Sequence, residues 1–319
     1  MLVTSNIINS AFRNQEDRLK CLCLCRENEK YISTLSGINC DIYIVAKDGV
    51  SGWKTTVSKF PDNIFALTKD ISQLASNDFD FVMCHGRLHE FELAHSISQT
   101  LHIPLLTVDH VSSVIKQKLP MHSRIEADIQ QFLYRVGDIN ISTSKEIKDS
   151  WSSSTYGISI EIPSYIEQHG SVEKTKSFVI DNNIPSQYAA QLEQILSGSE
   201  CELRFTDKDE LDISVFKFYI NTWNNINNKT LEAMSLSCIT FSPRTAETER
   251  VIEHGVNGIL YDNIEDLKQL MLEATAGKYD KISKASAQHI LNNHSNREEY
   301  NKKWNQVLSF LSNSFFTRK

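Results

Sequence analysis

The sequence predicts an α/β protein built from two doubly wound parallel sheets joined by a polar linker. Three observations carry this expectation. Short apolar runs alternate with helix-period segments between residues 19 and 142, and the alternation resumes between 177 and 261. The runs are continuously apolar, which marks strands covered on both faces. Between the two series, residues 169–176 are mostly polar and read as a linker. A chain of 319 residues is long for one core and suits two of about 150 residues each. The expected divisions are 1–168, 169–296 and a closing helix within 297–319.

In the first series the short apolar runs at 19–25, 41–45, 63–67, 79–84, 104–108 and 139–142 are the expected strands. The longer segments at 28–35, 70–75, 88–101 and 124–134 are the helices between them. Repeated βα units of this length force parallel pairing, with helices on both faces. Cys21, Cys23 and Cys25 alternate along the first run and so share one face. Small apolar thiols suit a central strand, and no histidine or carboxylate lies beside them at metal-ligand spacing. The pattern pauses at 161–167. The second series has strands at 177–180, 201–205, 216–221, 238–241 and 259–261, with helices at 187–196 and 230–236. Helices at 264–274, 283–291 and 297–311 finish the chain.

Composition narrows the class. Forty per cent hydrophobic and 23% charged residues are ordinary for a globular protein. No apolar run approaches the roughly 20 residues a membrane span needs. The first residues lack the basic region of a signal peptide. Seven cysteines, an odd number, fit a reducing cytoplasmic setting, that of the host if the protein is viral. A net charge of −7 argues against a partner held by phosphate contacts over the whole surface, while leaving room for a local basic cleft.

The chemistry concentrates in two stretches. In the first, Asn227, Asn228, Lys229 and Thr230 lead into a helix carrying Glu232. In the second, Arg250 precedes Gly255-Val-Asn-Gly258 and another strand. A helix start at the carboxyl edge of a parallel sheet offers free amides to a diphosphate without a metal. A glutamate there also complements the helix dipole by about 0.3–1 kcal/mol with no ligand involved. The neighbouring glycine turn favours the diphosphate-pocket reading. Asp78-Phe-Asp80 and Asp207-Lys-Asp209 imitate a metal-binding Asp-x-Asp, but such triplets are common by chance and the first opens a strand.

These stretches, with two more, resemble the GT-B glycosyltransferases that include glycogen and sucrose synthases. The added stretches are 79–86 with 104–110, each strand ending in a histidine, and 141–149 with Gly157 and Pro163. Together the four span residues 79 to 260. Residues 288–304 and Arg250 bear a looser similarity to phage DNA glucosyltransferases. The resemblance implies two Rossmann-like domains facing a cleft, with the C-terminal helix packing back toward the N-terminal domain. It implies a metal-independent hexosyl- or pentosyltransferase with no permanently bound cofactor, taking a nucleotide-sugar, UDP-sugar foremost. Glu232 would then accept the ribose hydroxyls, with Asn224, Asn227, Asn228, Lys229, Thr230, Arg204 and Arg250 around the donor. His85, Asp109 and His110 become the catalytic candidates. Arg87, Lys116, Lys118 and Arg124 would meet the acceptor, although a solvated loop accounts for that basic stretch equally well. A hydroxymethylated base in duplex DNA is one acceptor; a glycan or small molecule is another.

Two departures from the family pattern matter. Asn224 stands where a glutamate usually holds the donor sugar, eight positions before Glu232. Asp181-Asn-Asn stands where the family has an arginine and a lysine; Arg204, Lys208, Lys217, Arg244 and Arg250 are the substitutes to weigh. Without such cations, charge on the leaving diphosphate goes poorly stabilised. A UDP-sugar 2-epimerase and a non-catalytic GT-B-like binding protein therefore remain rival readings.

Overall fold

The computed structural model describes residues 18–24, 29–45, 61–67, 70–75, 78–85, 90–110, 137–152, 157–167, 172–181, 186–196, 201–206 and 212–316. The chain divides into two compact units: Met1–Ser164 with Arg297–Lys319, and Tyr165–Asn296. The helix expected at 124–134 lies outside the described residues, as do Arg87, Lys116, Lys118, Arg124 and Lys208.

The first unit holds seven strands. They are β1 (Leu19–Leu24), β2 (Cys40–Val45), β3 (Ile64–Leu67), β4 (Phe81–His85), β5 (Leu105–Asp109), β6 (Ile139–Ser142) and β7 (Ile158–Glu161). Their order is β3-β2-β1-β4-β5-β6-β7, and each neighbouring pair is parallel. The order therefore reverses between β1 and β4, and His85 ends one of those two strands. Cys21 and Cys23 are buried free thiols in the central strand β1, as their alternation predicts, and Cys25 lies outside the described residues. Burial is the main cause that pushes the Cys21 thiol up, with Cys40 adding to it. The strand β7 has no counterpart among the expected ones. It is short and lies at the sheet edge with Ile158 exposed, so it lacks the continuous apolar run of its neighbours.

Helices cover this sheet. α1 (Glu29–Thr34), α2 (Glu90–Leu101) and α3 (Lys145–Ser152) follow β1, β4 and β6. Phe91, Ala94, Ile97 and Leu101 of α2 pack with Leu22, Leu24, Val82, Cys84 and Leu105 in one apolar cluster. The helix expected at 70–75 is a single 3₁₀ turn, Ile71–Gln73: the Asp70 carboxylate caps its start by accepting from the Ser72 amide, and the turn ends where Leu74 becomes extended, with ψ 137°. The closing helix, Arg297–Phe316, joins this unit beside α1. Tyr300 and Thr34 share a hydroxyl hydrogen bond of 2.9 Å, Asn305 accepts from the Asn39 amide, and Arg297 donates to Ser36. Trp304, Val307, Leu308 and Leu311 of that helix are buried.

The second unit has five parallel strands: β8 (Thr175–Asp181), β9 (Leu203–Thr206), β10 (Phe216–Ile220), β11 (Ile239–Pro243) and β12 (Ile259–Tyr261). Their order is β12-β11-β10-β8-β9, so the reversal falls between β8 and β10. Phe178, Phe218 and Phe241 line one face across three adjacent strands, with the first two rings stacked at 4.4 Å. Each such ring, fully buried, contributes about 1.5–3 kcal/mol. α4 (Ser186–Leu196) and α6 (Ile264–Thr275) cover that face through Leu192, Leu196, Leu267, Leu270 and Met271. α5 (Asn228–Ser235) and α7 (Ile282–His294) pack Leu231, Met234 and Ile290 against Ile252 and Leu260.

Gly157 opens β7 where a Cβ would press into two backbone oxygens, those of Gly137 and Asp138. Backbone oxygens cannot swing aside as a flexible side chain can. Gly157→Ala is expected to destabilise the chain by about 1–3 kcal/mol, read as a lower urea midpoint. An unchanged midpoint would mean that the start of this strand shifts freely.

Candidate functional site

In open parallel sheets, ligands bind at the carboxyl edge where the strand order reverses. In the second unit that point is flanked by the loop 221–227, which runs from β10 into α5. Asn221 shapes the loop and is fully buried. Its Nδ2 donates to the carbonyls of Trp223 (3.2 Å) and Asn225 (2.9 Å) and to Ser242 Oγ (3.3 Å). Its Oδ1 accepts from the Trp223 amide at 3.0 Å. The Asn221 backbone is held too, by the Phe241 carbonyl and by the Tyr261 hydroxyl. A buried amide with this many partners resists rearrangement, since any loss leaves a desolvated polar group.

The helix start follows from Asn227. Its side chain accepts from the Thr230 amide (2.8 Å) and hydroxyl (2.9 Å), which is a standard asparagine N-cap. One of the amides expected for a diphosphate, that of Thr230, is therefore already used. The amides of Asn228 and Lys229 remain at the helix mouth. The helix begins at Asn228, two residues earlier than the sequence suggests. Glu232 consequently lies in the second turn, at half-buried depth, and no acidic residue occupies the first. Its charge is felt at Cys238, whose thiol is pushed up first by burial and last by Glu232, with Lys174 opposing.

The loop after β11 is knitted to the same edge. Thr245 Oγ1 donates to the Asn224 carbonyl at 2.8 Å. Thr245 and Thr248 each accept from the other's amide, and the Thr248 hydroxyl also donates to Pro243 O at 2.6 Å. The glycine turn then reverses the chain. Gly255 has φ +79°, and its amide donates to the Gly258 carbonyl. A Cβ at Gly258 would lie 2.8 Å from Ile252 Cγ2. Asn257 clasps the turn, accepting from the Glu253 amide and donating to the Val251 carbonyl.

The cations weighed as substitutes are distributed differently. Arg204 sits on the edge strand β9 and pairs with Glu202 at 2.5 Å. Lys217 pairs with Asp280 at 2.7 Å, and Arg244 with Glu249 and Asp262 at 3.2 and 3.0 Å. Arg250 is exposed in the 3₁₀ turn Thr248–Arg250 after β11. Lys229, within the helix mouth itself, is half-buried.

In the first unit two predicted residues meet. His85 ends β4, and His110 follows β5, the next strand. His85 Nδ1 and His110 Nε2 are 3.0 Å apart, with the rings nearly parallel at 9°. The Tyr31 ring from α1 stands edge-on to both, at centroid distances of 5.3 and 4.6 Å. His85 is 3% exposed. The outer atoms, His85 Nε2 and His110 Nδ1, are buried without a hydrogen-bond partner among the described residues. Burial lowers both imidazoles, His110 to about 4, and His110 adds to the lowering at His85. Asp109 is buried beside them, its carbonyl accepting from the Thr143 amide and hydroxyl.

Asn224, Asn227, Asn228, Lys229 and Thr230 are thus gathered in one loop and helix start, and His85 with His110 in one pair. Arg204 stands apart from the loop. Asn221, Ser242, Thr245, Tyr261 and Tyr31 are absent from the sequence reading. For Asn221 a signal exists, an asparagine directly after an apolar run; for Tyr31 there is none beyond its apolar setting. The Asp78-Phe-Asp80 imitation dissolves, since Asp78 accepts from the Ala75 amide and Asp80 from the Lys20 amide, while Asp207-Lys-Asp209 lies outside the described residues. Among the described residues no group of three metal-ligating side chains converges, and no helix is long and apolar enough to cross a membrane.

Comparison with solved structures gives a consistent likeness. HepE from Anabaena, solved with UDP and glucose, superposes with a TM-score of 0.66 at 13% identity, covering 92% of this chain and all of that one. The fold is that of GT-B glycosyltransferases. Sucrose-phosphate synthase from Thermosynechococcus elongatus has the same GT-B likeness, with a TM-score of 0.65, 11% identity, and 92% and 99% of the two chains covered. A putative UDP-N-acetylglucosamine 2-epimerase from Listeria monocytogenes gives 0.56 at 13% identity over 93% and 98%. No protein-family model and no curated protein matches the sequence.

Two outcomes follow from this geometry. Asn221→Ala strands two carbonyls and an amide, and is expected to destabilise by about 2–4 kcal/mol in urea denaturation. A cost below roughly 0.5 kcal/mol would mean that water enters and replaces the side chain. The histidine pair predicts a pH dependence. Unfolded imidazoles titrate near 6.5 and the folded ones lower. Between those values the unfolded chain binds more protons. The pair's contribution is therefore complete above about 6.5 and is lost as pH falls toward about 4. Denaturation midpoints should drop over that window, and drop less in a His110→Leu variant.

Proposed function

We propose that this protein is a nucleotide-sugar-dependent glycosyltransferase that needs no metal, with UDP-sugar as donor. The observation that carries the reading is the loop 221–227 leading into α5 at the reversal point of the second sheet. It places two amides at a helix start, with Lys229 alongside. Such a start attracts a diphosphate through its amides and dipole. The solved complexes of HepE with UDP and with UDP-glucose support the same donor class. Glu232, one turn further along, takes the ribose hydroxyls; Asn224 offers an amide to the sugar in place of a carboxylate.

On this reading the acceptor is handled by the first unit, where His85 ends a strand at the other reversal point. The basic stretch with Arg87, Lys116, Lys118 and Arg124 suits an anionic acceptor, including a hydroxymethylated base in duplex DNA. Arg250, in the turn after β11, is the arginine we assign to the leaving diphosphate, in preference to Arg204 on the edge strand β9. The free, buried cysteines accord with a reducing cytoplasmic setting. An epimerase reading is favoured by one specific finding, the likeness to UDP-N-acetylglucosamine 2-epimerase structures. The two differ in whether a UDP-sugar is altered when no acceptor is present.

The test is a thermal-shift screen with UDP, UDP-sugars, GDP-sugars and ADP-sugars, with and without a chelator. A ligand at a hundredfold excess over its Kd stabilises by about 2.7 kcal/mol. UDP compounds are expected to raise Tm, chelator to change nothing, and Glu232→Ala or Lys229→Ala to abolish the shift. No response to any nucleotide would overturn the proposal. Incubation of UDP-sugar alone, then with modified duplex DNA or a glycan, separates epimerisation from transfer.

A further inference from the structure

We propose that His110 is the positioning residue for His85: the two imidazoles share one proton, and His110 fixes the plane and tautomer in which His85 offers Nε2 to a hydroxyl-bearing ligand. The sugar-transfer reading enters only as the identity of that ligand. The inference starts from a proton count. A 3.0 Å contact between His85 Nδ1 and His110 Nε2 needs one hydrogen between two nitrogens. With both rings neutral, a hydrogen on His85 Nδ1 leaves His110 Nε2 bare, so His110 carries its own proton on Nδ1. A hydrogen on His110 Nε2 leaves His85 Nδ1 bare, and His85 then carries its proton on Nε2. The two rings must therefore hold the same tautomer, Nδ1–H in both or Nε2–H in both.

Moving the shared proton alone would create an ion pair, so the tautomer switch requires the outer protons to move as well. A ligand hydroxyl fits either state, because it both donates and accepts. A phosphate or carboxylate oxygen fits only the state with Nε2–H on His85. Burial decides between orientation and proton uptake. With His110 held at about 4, an imidazolium at pH 7 is populated at roughly one part in a thousand. The pair is thus an orienting, neutral unit and a poor proton sink. Tyr31 restricts it further by standing edge-on to both rings, and its own hydroxyl stays protonated because burial, then Tyr300, raises it.

Nitrogen-15 spectra of histidine-labelled full-length protein at pH 7 test the pair without reference to activity. The expected result is two neutral rings with matching tautomers. Unlike tautomers, or a charged ring, would overturn the proposal. In the kinetic arm, His110→Leu should lower kcat by about tenfold or more, with the donor KM within about twofold. His110→Gln, which puts an amide where Nε2 was, should recover most of that loss. A leucine variant with unchanged kcat would also overturn it. Should no acceptor ever be glycosylated, the sugar-transfer reading fails while the spectra still decide the pairing.

Discussion

The second unit depends on one buried side-chain amide. Asn221 donates to two loop carbonyls and a serine hydroxyl and accepts a loop amide. Its own carbonyl receives the Tyr261 hydroxyl. Three strands, β10, β11 and β12, are thereby referred to a single residue at the carboxyl edge. A loop that leaves a parallel strand must satisfy its backbone groups without a sheet partner. Here asparagine supplies those partners from inside, which leaves the outer surface of the loop, with Trp223 and Asn224 exposed, to present itself outward.

The two carboxyl edges are built by different chemistry. In the second unit the geometry is made by backbone and amides, with Arg244 after β11 already engaged by Glu249 and Asp262. In the first unit it is made by two buried imidazoles with the Tyr31 ring edge-on to both. Neither edge relies on a dense cluster of charge among the described residues, in keeping with the net charge of −7. Amide and imidazole hydrogen bonds are directional and weakly salt-dependent.

The α/β class and most strands were legible because two-sided burial forces unbroken apolar runs. Only β7, an edge strand of four residues, escaped that rule. The helix start at Asn228 was partly legible: an asparagine-rich segment before an apolar helix signals a cap, but which asparagine caps depends on backbone angles. Asn227 has φ −94° and ψ 172°, and that conformation is what sends its side chain back to Thr230. The histidine pair was half legible. Two strands ending in histidine could be read; their meeting depends on β4 and β5 being neighbours in register, with His85 opposite Val108. Tyr31 had no sequence signal, since its role arises from where α1 settles. The pairing of Lys217 with Asp280 and of Arg244 with Asp262 was invisible for the same reason, joining residues far apart in the chain.

The path of the chain carries a consequence for biosynthesis. Residues 165–296 form one unit as an uninterrupted stretch, whereas the other unit recruits residues 297–316 to bury Trp304 and Leu311 beside α1. A ribosome therefore delivers everything the middle unit requires before its predecessor is complete. Domains ordinarily fold in the sequence in which they emerge. Here the inserted unit can mature first, while the earlier-made unit waits for the helix that packs beside α1.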